Sequence, residues 1–129
     1  MSGTGRPPPS WPSGCADEVR RGKMKVYVIG PVTGVADDNL PAFAEARRRL
    51  VETGQFGSVS TPHDRIPSET PWADAMRISI RALLEHDAVA MLDGTCDSRG
   101  ASLEREIALA LGMPCKPVAE WLRSMGEAN

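Results

Sequence analysis

The residues Ala88-Val89-Ala90-Met91-Leu92 make an unbroken apolar run of strand length, and the polar, turn-forming loop Asp93-Gly94-Thr95-Cys96-Asp97 follows it. Such a run fits a strand buried on both faces of a parallel sheet. Ser98 then offers an N-cap, and Leu103 to Leu111 is helix-forming until Gly112 and Pro114 stop it. At about 100° per residue, Gly100, Ala101, Leu103, Ile107, Ala108, Ala110 and Leu111 share one broad side of that helix, and Glu104 falls among them. Arg105 and Glu106 fall outside the arc. The pattern predicts strand, loop and helix, with one carboxylate on the side that packs.

The rest of the chain repeats the alternation. Met24 to Ile29 is rich in β-branched and aromatic residues and ends at Gly30-Pro31, the signature of a first strand. Asp38 or Asn39 can cap a helix with Pro41 in its first turn, and Leu40, Phe43, Arg47, Leu50 and Val51 recur at spacings of three and four until Gly54. Phe56 to Thr61 reads as a second strand, Ile66 to Thr70 as a loop, and Thr70-Pro71-Trp72 as the start of a helix with Met76, Ile80, Leu83 and Leu84 on its apolar face. Lys116-Pro117-Val118 makes a last short strand and Ala119 to Met125 a closing helix. Strands alternating with helices imply a parallel sheet, with ligands beyond the carboxyl ends of its strands.

Composition sets the number of domains and removes several function classes. A chain of 129 residues, 41% hydrophobic, holds one ordinary core, so one domain over 24–129 is expected. Residues 1–23 are crowded with Gly, Pro and Ser and are expected to be disordered, with the run Arg6 to Pro12 as an alternative extended docking ligand. The net charge is −2, and no basic cluster follows an aromatic pattern, so no nucleic-acid polymer is expected as partner. The Arg47-Arg48-Arg49 run reads as a solvated helix face. No apolar run reaches membrane-span length and no secretion signal opens the chain, which points to no membrane partner and a cytoplasmic location. Cys15, Cys96 and Cys115 are odd in number and far apart, as free thiols are. His63 and His86 are too scattered for a zinc site, although a mixed His/Asp site stays open, and no metal is expected. Gly30-Pro31-Val32-Thr33-Gly34 is neither a Walker loop nor a dinucleotide fingerprint, so ATP, NAD and other cofactors have no support.

Periodicity alone leaves two readings of Glu104: a rim residue reaching solvent or an arginine, or a reactive group beside the open N-terminus of its helix. Resemblance favours the second. Ser98-Arg99-Gly100-Ala101-Ser102-Leu103-Glu104, with Ala108 four residues later, is similar to the signature helix of the nucleoside 2-deoxyribosyltransferase-like family. Tyr27-Val28-Ile29-Gly30-Pro31-Val32-Thr33-Gly34 resembles the opening strand and loop of that family's short bacterial and phage members. Phe56 to His63 resembles the second strand of its nucleotide N-hydrolases. The resemblance covers roughly residues 24 to 120. It implies a flavodoxin-like, doubly wound fold, a homodimer or larger assembly, and a nucleoside or nucleotide as the small-molecule partner. It also implies cleavage or transfer at an N-glycosidic bond, with Glu104 as nucleophile and Tyr27, Gly30, Thr33 and His63 as contacts. Ser98, Gly100 and the helix-end amides suit a 5′-phosphate. One departure stands out: eight residues before Asp87, where relatives carry an aspartate, this chain has Ser79. Asp93 or Asp97 is then expected to supply the missing acid-base group. A non-catalytic nucleotide-binding or sensor module on the same fold is the alternative.

Overall fold

The computed structural model describes residues 24–124; the expectations for residues 1–23, Cys15 included, lie outside them. Strand β1 (Met24–Ile29) is followed by helix α1 (Leu40–Glu52), β2 (Phe56–Ser60), α2 (Trp72–Leu84), β3 (Ala88–Met91), α3 (Arg99–Ala110), β4 (Cys115–Pro117) and α4 (Val118–Ser124). All pairings are parallel and the strand order is β2-β1-β3-β4. The fold is thus α/β, in the strand order of a flavodoxin-like doubly wound sheet.

The period-2 alternation of β1 divides the core. Val26 and Val28, with Ala88 and Ala90 of β3, face Phe43, Ala46 and Leu50 of α1 and Trp121 and Leu122 of α4. Tyr27, Ile29 and Val89 face Ala82 and Leu83 of α2, Ala108 of α3 and Met113. Both β-strands at the centre are therefore covered on both faces, which is why β3 is apolar throughout. The indole N–H of Trp121 donates to the Val89 carbonyl at 2.8 Å and ties α4 to the sheet.

Several local expectations are corrected. The capping role expected of Asp38 or Asn39 is absent: Asn39 sits at the N-cap of α1 with φ 59°, and its Nδ2 donates to the Pro31 carbonyl at 2.8 Å instead. The inward stripe of α1 is Phe43, Ala46 and Leu50, while Leu40 and Val51 are exposed. A small alanine completes the stripe, and larger residues flanking it stay outside. On α3 only Ala101, Glu104 and Ala108 are buried, whereas Leu103 is 41% and Leu111 50% exposed. The charged residue is inside and the leucines are outside. Pro71 stands at the N-cap of α2, since Thr70 spends its hydroxyl on the Pro67 carbonyl. Strand β4 and helix α4 each begin one residue earlier than expected.

Gly30 follows the end of β1 and lies against Leu92, the residue after β3. A Cβ there would lie 2.8 Å from both Cβ and Cδ1 of Leu92. Gly30→Ala is expected to cost roughly 1–3 kcal/mol through overpacking, read from urea denaturation. An unchanged midpoint would mean that Leu92 moves aside freely.

Candidate active site

The loops that leave the carboxyl ends of β1, β2 and β3 meet the first turns of α2 and α3 around a cavity of about 340 Å³. This is where an open parallel sheet places a ligand. Thr33 and Gly34 come from the loop after β1, His63, Ile66, Pro67 and Glu69 from the loop after β2, and Trp72, Met76 and Ser79 from α2. Ser98, Gly100, Ala101 and Glu104 complete it from the start of α3.

Glu104 is 4% exposed. Its Oε2 accepts a hydrogen bond from the Ser79 hydroxyl, and no described residue donates to Oε1. The Tyr27 hydroxyl lies 2.8 Å from Ser79 Oγ. Because the single serine proton goes to Glu104, Tyr27 donates to Ser79, and a chain Tyr27–Ser79–Glu104 runs from the sheet to the cavity. Burial pushes the Glu104 carboxyl up to about 7, and the Ser79 bond pulls weakly the other way. Burial also raises the Tyr27 phenol well above its ordinary value, so it stays a donor. Position 79 carries a hydroxyl and not a carboxylate. A carboxylate there would lie against Glu104, and like charges so close cannot both ionise. Tyr27→Phe is expected to cost about 1 kcal/mol, the net value of one buried hydrogen bond. Denaturation of the variant checks this, and no loss of stability would remove the chain's anchoring role.

Ser98 caps α3, its Oγ accepting from the Ala101 N–H at 3.3 Å. Gly100 lets the start of α3 close on α2: a Cβ there would lie 2.8 Å from Met76 Sδ and 3.6 Å from Trp72 Nε1. His63 Nε2 donates to the Asp38 carbonyl at 2.8 Å, its Nδ1 is enclosed without a partner among the described residues, and its ring packs edge-on against Phe43. The histidine thereby ties the loop after β2 to the loop after β1. That turn is held by Thr61 and Asp64, which cap each other's backbone.

Of the residues singled out from sequence, Thr33, His63, Ser98, Gly100 and Glu104 line the cavity, and Tyr27, Gly30, Asp93 and Asp97 do not. Tyr27 lies behind Ser79, and Gly30 packs on Leu92. Asp93 and Asp97 are exposed because buried Thr95 folds the loop back, its hydroxyl donating to the Leu92 carbonyl at 2.7 Å. Neither aspartate lines the cavity that holds Glu104. Sequence reasoning passed over Asp38, Glu69 and Trp72, all of which line the cavity. Glu69 holds φ 69°, a left-handed conformation rare for glutamate and without a sequence signal. Trp72 carries the Arg99 guanidinium 3.9 Å from its ring centroid.

Among the described residues no group of three His, Cys, Asp or Glu side chains is placed to hold a metal, and no helix is long and apolar enough to cross a membrane. Cys96 and Cys115 are free thiols. Residues 24–116 match a family model described as a domain of unknown function, DUF4406. The matched span takes in every residue that lines the cavity. No curated protein matches the chain.

Proposed function

Because the chain belongs to the DUF4406 family, whose description leaves its activity open, we propose from the site itself that it cleaves or transfers at the N-glycosidic bond of a nucleoside or nucleoside 5′-monophosphate. The observation that carries this reading is Glu104: a carboxylate 4% exposed, on the wall of a cavity, held at one oxygen by a serine that a tyrosine backs. The resemblance of its helix to the nucleoside 2-deoxyribosyltransferase-like signature supports the same role.

The chemistry is displacement at C1′. The carboxylate stabilises an oxocarbenium-like centre and bonds to C1′ while the base departs with the C1′–N electron pair. Water then releases the free sugar, or a second base takes it. Ser79, fed by Tyr27, keeps the attacking carboxylate in one orientation. The same resemblance supports a cytoplasmic protein acting as a homodimer or larger assembly, in which a neighbouring chain helps close the pocket.

A second reading, a nucleotide sensor without turnover, is favoured by two observations: Ser79 beside Glu104 is a hydroxyl, and Asp93 and Asp97 do not line the cavity. Incubating the protein with a panel of nucleosides and nucleoside monophosphates separates the two. Release of free base supports the glycosidic reading, and binding without release supports the sensor.

A further inference from the structure

The residues that line the cavity include three acids, Asp38, Glu69 and Glu104, and among the described residues no lysine or arginine lines it, Arg99 lying on the Trp72 ring. Its aromatic wall, Trp72, already receives a planar delocalised cation, the Arg99 guanidinium at 3.9 Å. Ser79, the group bonded to Glu104, is a hydroxyl, far too weak an acid to protonate a departing base, and the Nε2 proton of His63 is held by the Asp38 carbonyl. Trp72 and Ser79 are seven residues apart on α2, two turns or about 10 Å, so a sugar at Glu104 places its base within reach of the indole. A neutral base leaves with an electron pair that calls for a proton. A base quaternised at ring nitrogen leaves as a neutral molecule and needs none.

Resting on the glycosidic reading above, we propose that the substrates are nucleosides whose heterocyclic base carries a positive charge, stacked on Trp72 and held among the cavity carboxylates. A Glu104 oxygen bonds to C1′, the C1′–N bond breaks, and its electron pair cancels the charge on the ring nitrogen. Water then attacks C1′, the C1′–O bond to Glu104 breaks with its pair returning to the carboxylate, and one proton passes to solvent. The sum is cationic nucleoside and water in, neutral base, sugar and a proton out. Charge also sets what is refused: a 5′-phosphate brings negative charge to a wall that is already acidic. The arriving cation moreover favours the ionised form of Glu104, which burial otherwise resists.

The test uses the full chain carrying Glu104→Gln, titrated by calorimetry with nicotinamide riboside as a pyridinium nucleoside, its uncharged 1,4-dihydro form, and the 5′-monophosphate of the cation. The riboside is expected to bind at least about tenfold tighter than the dihydro form and than the monophosphate, the scale of one cation–π contact with partial desolvation. The preference should shrink at least about threefold in Trp72→Leu, which keeps apolar bulk, and separately in Asp38→Asn with Glu69→Gln. Equal or tighter binding of the dihydro form or the monophosphate overturns the proposal, as does a preference that survives both sets of changes or an absence of binding by all three compounds. Wild-type turnover separates the two claims. Base release from uncharged nucleosides only removes the charge proposal and leaves the glycosidic reading, whereas the stated binding preference without release of nicotinamide removes the glycosidic reading and leaves the charge preference.

Discussion

Glu104→Gln is expected to lower base release at least about a thousandfold while binding of a nucleoside largely survives. The amide fills the same volume and still accepts from Ser79, so the cavity keeps its shape. What it loses is the charge that stabilises the sugar cation and the oxygen that bonds to C1′, both of which act on the transition state and not on the bound substrate. The wild type, given a nucleoside that it cleaves, should form a transient adduct heavier by one sugar moiety in mass spectra of the intact chain. The variant should not. Base release by Glu104→Gln at the wild-type rate would place the nucleophile elsewhere, and binding without turnover by both proteins would leave the sensor reading.

The elements that position this site were legible where pattern and packing agree. Strand β3 is apolar throughout because helices cover both its faces, and Gly112, at φ 75°, follows the end of α3 as the stop signal implied. Glu104 was placed on the packing side of its helix from spacing alone, and it is buried. Leucine was the misleading residue. Leu84, Leu103 and Leu111 belong to predicted apolar arcs yet are exposed, because alanines on α2 and α3 let the helices lie close to the sheet and the broad arc is wider than the contact.

The remainder of the site was hidden because it depends on loop geometry and not on period. Asp93 and Asp97 look suitable in sequence, being next to a strand end, but both are exposed and neither lines the cavity, the Thr95 hydroxyl closing their turn on the Leu92 carbonyl. Glu69 and Asp38 reach the cavity from left-handed backbone positions, at φ 69° and 54°, which no propensity favours for these residues. Trp72 stands alone in the sequence, and its role emerges only where Gly100 brings α3 against it. The interaction that most defines the centre, Ser79 with Glu104, joins residues 25 positions apart on two helices. In sequence Ser79 is only a departure from a resemblance, and its contact with Glu104 gives that departure a physical content.

The same substitution that removes activity is expected to stabilise the fold, and only above acidic pH. Glu104 has an ordinary value near 4.5, and burial raises it to about 7 in the folded chain. Below the lower value the carboxyl is neutral in both states and carries no penalty. Between the two the folded chain holds a proton that the unfolded chain has released, so stability falls as pH rises, and above the higher value the loss is complete. The full penalty is on the order of 3 kcal/mol. Glutamine never ionises, so the difference between Glu104→Gln and wild type should be near zero at pH 4.5 and grow to that size by pH 8. His86 is buried with its value lowered, mainly by desolvation, and it titrates in the opposite sense, stability being lost as pH falls through its unfolded value. Both proteins carry His86, so its contribution cancels in the difference. Urea denaturation of the two proteins at pH 4.5, 6 and 8 checks the claim. A difference that does not change with pH would mean that Glu104 is already solvated or ionised in the folded chain, and the stored cost that a buried nucleophile implies would be absent.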